Sequence, residues 1–356
     1  MPSNKDVRKV SVKILTNVLL KEKKLKNEFE YFAKEINQKN VNFLKNLVYG
    51  VVRFKESLDH TILKYYHKSF NKLNEKSKNI LRIGLFQIDK MDSIPNYATV
   101  STTVELAKSE SISFSRVVNA ILMKYIRESD SIDFSIINHP KKIISQWQKD
   151  YNAEEIESLC KWNNSTSKIW FRLNDEVKKT LKSDNMNNFH YHSDITNYIS
   201  FDDTKSAIEK FVKNNLLIVQ SPSSSLVCDM LNVSKDEIVI DACASPGGKA
   251  RCILENIDNS NVFHMNDKSS KKFLQLNNDF KNTVSSITCK DASYEKFPLA
   301  DKVLLDVPCS ASGTIQKNPD IKWKNHDLGK LNILQLKILK NMSKFIKDKG
   351  VIVYST

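Results

Sequence analysis

The sequence predicts a multidomain protein: an all-α bundle, a small α/β insert, and a doubly wound α/β sheet of the Rossmann type. Three observations lead there. Residues 1–130 carry apolar side chains at helical spacing, with no proline between Pro2 and Pro95. From about residue 217, short apolar runs alternate with amphipathic segments, the pattern of a parallel sheet covered by helices. Finally, Ile238-Val-Ile-Asp241 runs directly into Ala-Cys-Ala-Ser-Pro-Gly-Gly-Lys249, a buried strand ending in a glycine turn that opens a helix. A chain of 356 residues also exceeds one ordinary core.

The elements follow in order. Val7, Val10, Ile14, Leu15, Val18 and Leu19 mark a first helical stripe, and Phe43, Leu44, Leu47, Val48 and Val51 another. Ile94-Pro95-Asn96 ends one helix and starts the next, which runs through Val100, Val104, Leu106 and Ala107. Val117, Val118, Ala120, Ile121 and Leu122 form a further apolar face. Residues 131–165 are expected to be a helical connector beginning at His139-Pro140. Lys168 to Asn174 alternates as a strand, residues 191–200 hold further extended stretches, and Asp203 to Lys213 is helix-like, giving a small α/β unit over 166–216. The last domain, 217–356, is expected to hold strands at 237–241, 261–266, 286–290, 301–306 and 350–354, with helices at 249–257, 269–281 and 328–347.

Lys and Arg exceed Asp and Glu by 55 to 41, a net charge of +14 that favours a polyanionic partner. The cysteines at 160, 228, 243, 252, 289 and 309 are scattered, with no Cys-x-x-Cys and no Cys/His cluster. Neither zinc, any other metal, nor a disulfide framework is expected, and a reducing, cytoplasmic setting fits. No apolar run approaches the ~18 residues of a membrane span, and charges interrupt the apolar positions of the N-terminus as no signal peptide would allow. Nothing in the chain calls for more than a monomer.

Asp241, Asp267, Asp291 and Asp306 sit at or just beyond the ends of successive expected strands, where an open parallel sheet binds its ligands. Asp267 is placed to accept hydrogen bonds from ribose hydroxyls, and Asp291 to read an adenine amino group. One such Asp alone is more often a turn or helix cap; four in phase beside a Pro-Gly-Gly-Lys turn point to a nucleoside cofactor. The absence of Gly-x-Gly-x-x-Gly counts against a nicotinamide dinucleotide.

The run from Asp241 to Lys249, together with Asp306-Val-Pro-Cys309 and Asn318-Pro-Asp-Ile-Lys-Trp323, closely resembles the S-adenosylmethionine-dependent RNA cytosine-C5 methyltransferases of the RsmB/Fmu/Sun type, which modify small-subunit ribosomal RNA. Leu47-Val-Tyr-Gly-Val-Val-Arg53, Leu81-Arg-Ile-Gly-Leu-Phe-Gln87, Ile94-Pro-Asn-Tyr-Ala98, Val104-Glu-Leu-Ala-Lys108 and Val118-Asn-Ala-Ile-Leu122 occur in the order seen in NusB-like domains. The resemblance implies RNA binding by the bundle, with protein-free ribosomal RNA as partner. It also implies an RRM-like or ferredoxin-like insert that helps grip RNA, although no RNP-type aromatic consensus is present. Cys243, Ala244, Ser245, Pro246, Gly247, Gly248 and Lys249 are implied to line the S-adenosylmethionine pocket, with Ser245 where the family usually has Ala.

Methylation at C5 of cytosine needs a thiolate adding to C6, so that C5 becomes enamine-like and attacks the sulfonium methyl; a base then removes the C5 proton. By resemblance, Cys309 assists product release, Asp306 contacts the cytosine edge and Lys249 supports that site electrostatically. The nucleophile is a second Cys in a Tyr-Ser-Thr-Cys motif. Here Tyr354-Ser-Thr356 matches that motif up to the position before the thiol, so the nucleophile is expected immediately after Thr356, in a longer enzyme of which this chain is a truncated copy, itself inactive. Pro319, Asp320 and Trp323 either shape the target-base pocket or form a folded loop around a buried Trp. The competing class is a non-catalytic NusB-like RNA-binding protein that keeps a relic methyltransferase domain. A DNA cytosine methyltransferase using Cys309 lacks the Glu-Asn-Val tripeptide of that group.

Overall fold

In a computed structural model of the chain, the residues described are 6–66, 70–134, 137–173, 189–195, 197–212 and 217–356, without the side chains of Lys205 and Lys210. Asn174 and Lys213, the expected ends of a strand and a helix, lie outside them, as does the stretch 174–188 of the small α/β unit. Two compact units result: residues 1–167 with 311–325, and residues 168–310 with 326–356.

The first unit is helical. Its elements are α1 (Val7–Leu19), α2 (Leu25–Ala33), α3 (Val41–Arg53), α4 (Lys55–Tyr65), α5 (Glu75–Lys90), α6 (Asn96–Lys108), α7 (Ile112–Arg127), α8 (Lys141–Trp147) and α9 (Ala153–Asn164). Side chains that accept an orphan backbone N–H set several of the starts: Asp6 for Arg8, Asn74 for Ser77, Ser111 for Phe114, and a reciprocal Asn152/Glu155 capping box. Pro95 stands just before α6, as the proline punctuation requires. The apolar stripes converge on one core containing Ile14, Leu15, Leu44, Leu47, Ile80 and Leu122. At Gly50 a Cβ would stand 2.0 Å from the Phe86 ring, so α3 and α5 approach this closely only over a glycine.

Inside that core, Arg82 is 1% exposed. Its guanidinium forms a fork with Asp59 at 2.6 and 2.8 Å, donates to Asn79 at 2.8 Å, and also meets Glu75. Burial opposes ionisation of Asp59, but the charges and hydrogen bonds of Arg82 and Lys55 outweigh it and hold the carboxyl below its ordinary range.

The second unit holds two sheets. A small antiparallel one, ordered β2-β3-β1-β4, contains β1 (Phe171–Arg172), β2 (Phe189–Tyr191), β3 (Tyr198–Phe201) and β4 (Ile218–Val219), with α10 (Thr204–Ala207) after β3. Its Phe171, Ile199 and Phe201 pack on Ala207 and Phe211. The opposite face is spent inside the unit. Arg172 pairs with Glu255 at 2.5 Å, Tyr198 donates to Gln220 at 3.0 Å, and Gln220 donates to the Gly248 carbonyl at 2.8 Å.

The second sheet is parallel, five-stranded and ordered β7-β6-β5-β8-β9. Its elements are α11 (Pro222–Asp229), β5 (Ile238–Asp241), α12 (Gly248–Leu254), β6 (Val262–Asn266), α13 (Ser270–Phe280), β7 (Ser286–Thr288), β8 (Ala300–Asp306), α14 (Leu328–Met342) and β9 (Ile346–Ser355). Alternate residues feed two cores. Val239, Phe263 and Leu304 meet α12 and α13, while Ile240, Val303 and Leu305 meet α14. β9 starts at Ile346, earlier than the expected 350, because a bulge opposite Ala300–Lys302 absorbs residues 347–350. The order reverses between β5 and β8, and the strand ends on either side of that point form the crevice expected of a doubly wound sheet.

Arg82→Ala should destabilise the protein by about 3–5 kcal/mol in urea unfolding, because it removes the Arg82 contact from two partly buried carboxylates and leaves Asp59 with Lys55 alone as its ion-pair partner among the described residues.

Candidate active site

The crevice is built on the carboxyl end of β5. Asp241 is 1% exposed; one oxygen accepts the Cys243 N–H at 3.3 Å, and the other, Oδ2, has no partner among the described residues. Burial, and secondarily the nearby Asp306 charge, push its carboxyl up to about 7. The chain then turns through Ala244, Ser245 and Pro246 to Gly247, whose φ of 97° is left-handed. A side chain there is excluded twice over, since a Cβ would also lie 2.4 Å from the Phe280 ring. The Cys243 thiol is pushed up to about 12 by burial and by the Asp241, Asp267 and Asp306 charges, so it stays protonated.

Lys249, in the first turn of α12, reaches Asp306 at 2.7 Å across the β5–β8 switch point. The other Asp306 oxygen accepts the Ser355 hydroxyl at 2.9 Å, and the Ser355 carbonyl accepts the Val307 N–H at 3.1 Å. The Tyr354-Ser-Thr run therefore lies beside Asp306. Cys309 is exposed. Its neighbour Pro308 is held through its carbonyl by Gln335 at 2.8 Å, and Gln335 accepts the Tyr354 hydroxyl at 3.0 Å.

On the β6–β7 side, Asp267 is buried, accepts the Ser269 N–H at 2.9 Å and pairs with Lys272 at 3.2 Å. Asp291 accepts the Ser293 N–H and hydroxyl at 2.9 and 2.6 Å. Burial works against its ionisation, but those bonds and the Lys268 charge keep the carboxyl below its ordinary range. The fold thus brings Asp241, Cys243–Lys249, Asp267, Asp291 and Asp306 to strand ends or strand-end turns of one sheet.

Sequence reading missed Lys272 and the buried Asn266, and it found Ser355 within the Tyr354-Ser-Thr motif but not its bond to Asp306. Asn266 left a trace, as an amide next to Asp267 at a strand end.

Pro319 to Trp323 fall in the other unit. There Asp320 accepts the Leu25 N–H at 3.2 Å, Trp323 donates to the Val52 carbonyl at 2.7 Å, and Lys322, 1% exposed, donates to the Arg53 carbonyl at 2.8 Å and to Asn164 at 3.0 Å. Val52 and Arg53 close α3, whose last carbonyls lack helical partners; a lysine and an indole satisfy them. Among the described residues, Asp320 and Trp323 are therefore held in a folded loop.

Comparison with known proteins matches two families along the chain, the second running through the 311–325 loop. Residues 228–356 match the family model described as 16S rRNA methyltransferase RsmB/F, and residues 5–127 match the NusB family. The ribosomal RNA small subunit methyltransferase B of Vibrio vulnificus is 28% identical over 99% of this chain and 87% of its own length. A probable ribosomal RNA small subunit methyltransferase B of Synechocystis is 28% identical over 88% of this chain and 76% of its own length. The crystal structure of PH0851 superposes with a TM-score of 0.73 at 18% identity, over 99% of this chain and 86% of that one, a likeness of fold.

The buried, half-satisfied Asp241 carboxyl has a measurable consequence. With a folded value of about 7 against an ordinary carboxylate range near 4, the folded state holds a proton that the unfolded state has lost. Its stabilising contribution is therefore present at low pH and lost as pH rises to about 7. Asp241→Asn should raise the melting temperature of cofactor-free protein at pH 8, with most of that gain gone by pH 5 and the rest lost below the ordinary carboxylate range. Equal gains at both values would contradict the shift.

Proposed function

We propose that this chain, whose residues 5–127 match the NusB family and 228–356 the 16S rRNA methyltransferase RsmB/F model, uses S-adenosylmethionine to methylate C5 of a cytosine in protein-free small-subunit RNA. The observation that carries this reading is the β5–β8 crevice, where a lysine–aspartate pair and a buried carboxylate with one oxygen lacking a partner among the described residues stand beside a glycine turn. The donor set fits the cofactor. Asp241 Oδ2 needs a cationic or N–H donor, and the amino-acid ammonium of S-adenosylmethionine is one. Asp267 fits the ribose hydroxyls, Asp291 the adenine amino group, and Cys243 to Lys249 the methionine end. Bound there, the cofactor supplies an electrophilic methyl group.

The protein's own residues would do the rest. Asp306, oriented by Lys249 and Ser355, is proposed to hold the cytosine edge beside the methyl donor. A cysteine thiolate is proposed to add to C6, which makes C5 nucleophilic; after methyl transfer a base takes the C5 proton and the thiolate leaves. The nucleophile proposed is the thiol expected to follow Thr356, with Cys309 assisting release. The helical unit, 1–130 with the 131–165 connector, and the 166–216 insert are proposed to grip RNA through the basic excess of +14. The protein is proposed to act as a monomer in the cytoplasm, without a metal.

Three measurements test this. Asp267→Ala should weaken S-adenosylmethionine binding by about 1–3 kcal/mol in calorimetry; unchanged affinity would remove the ribose assignment. RNA affinity should fall steeply across a salt series, and a flat response would count against phosphate contacts. Residues 1–356 alone should not methylate RNA, whereas a chain extended by a Cys-containing motif should. Cys309→Ala in the extended chain should accumulate a covalent protein–RNA adduct. Turnover by residues 1–356 that is lost in Cys309→Ala would instead make Cys309 the nucleophile.

A further inference from the structure

Asn266 is 1% exposed and uses every hydrogen-bonding position its side chain has. Its amide nitrogen donates to the Ala242 carbonyl at 3.0 Å and to the Lys290 carbonyl at 3.0 Å. Its amide oxygen accepts the Thr288 hydroxyl at 2.8 Å and the Lys290 N–H at 2.9 Å. Its backbone carbonyl accepts the Ala244 N–H at 2.8 Å. The register explains why a side chain is needed. The β5–β6 ladder ends at Asp241 opposite Met265, and the β6–β7 ladder ends at Asn266 opposite Thr288. Beyond those points the regular ladders end as the crevice opens, and the main chains are joined by single bonds, from the Ala244 N–H to the Asn266 carbonyl at 2.8 Å and from the Asp267 N–H to the Thr288 carbonyl at 3.3 Å. The Asn266 amide takes over there, tying the turn after β5 and the tail of β7 to the end of β6.

We propose that Asn266 is a positioning residue for cofactor binding: it fixes the spacing of the three strand tails that carry Asp241 and Cys243, Asp267, and Asp291. The inference rests on the reading of this crevice as the S-adenosylmethionine site. The amide is matched to its place, because two of its partners are carbonyls and two are donors. A carboxylate of the same shape would still accept from Thr288 and Lys290, but it would set its second oxygen against two carbonyl oxygens. Protonating that oxygen restores one of the two lost bonds.

The experiment uses the full chain and calorimetric titration with S-adenosylmethionine and S-adenosylhomocysteine from pH 5.5 to 8.5. Melting temperatures are recorded without cofactor. Asn266→Asp should bind both ligands about tenfold or more weakly than wild type at pH 8, and the ratio to wild type should narrow steadily toward pH 5.5. Thr288→Val, which removes one of the four bonds and introduces no charge, should fold and bind a few-fold more weakly. A lower melting temperature with wild-type affinity at every pH, in either variant, would show that the amide serves stability alone and would overturn the proposal. If Asn266→Asp does not fold, the Thr288→Val affinity decides. Wild-type protein that binds neither ligand would defeat the underlying reading of the crevice; wild-type binding with unaffected variants would defeat this inference only.

Discussion

Charge balance at the switch point of the parallel sheet governs most of what surrounds it. Asp241 and Asp306 end neighbouring strands, and one ammonium, Lys249, lies at 2.7 Å from Asp306. Asp306 is thereby compensated and also fixed by Ser355, while Asp241 is left buried with one oxygen unsatisfied. A group so placed either keeps its proton or meets a ligand cation. The glycine turn, the ring of Phe280 packed beneath it and the protonated Cys243 all follow from bringing backbone close to that spot. A cationic partner at Asp241 Oδ2 would relieve that cost.

The helical unit solves a different problem, that of polar groups within a bundle. Arg82 is tolerated in the core because three side chains share its guanidinium. The α3 terminus is tolerated because residues of a distant segment cap it. Burial and the neighbouring Arg53 charge push the Lys322 ammonium down to about 7, so this cap disfavours the charged form and relies on its hydrogen bonds to the Arg53 carbonyl and Asn164. The small sheet shows the same economy. Its non-core face is occupied by Arg172, Tyr198 and Gln220 bonding toward α12, so no open sheet surface is left at those positions for base stacking.

Much of this was legible in the sequence, for local reasons. Apolar period and proline placement locate the helices of the first unit, and short, mostly apolar runs that lead into Asp241, Asp267 and Asp306 locate β5, β6 and β8 within a residue or two. The strand-end carboxylates could be read because any strand end in such a sheet faces the crevice. The roles of Asn266 and Lys272 could not, since they depend on strand register and on side-chain reach that period alone does not carry. The bulge before Gly350 was equally invisible; a Cβ there would crowd the Asp301 carbonyl at 2.9 Å, a partner almost fifty residues away in sequence. The loop from Ala311 to Asn325 had a motif meaning but no local sign of its packing, because its partners lie in α2, α3 and α9.

That loop has a consequence for biosynthesis. The bonds from Lys322 to Arg53 and from Trp323 to Val52 span 269 and 271 residues. A nascent chain leaves the ribosome N-terminus first, and domains generally fold as they emerge. The bundle can collect its apolar core early, but the end of α3 has no protein cap until translation has passed residue 323, by which time most of the parallel sheet has also been made. The helical unit is therefore completed by a segment synthesised 269 to 271 residues after the helix end that it caps.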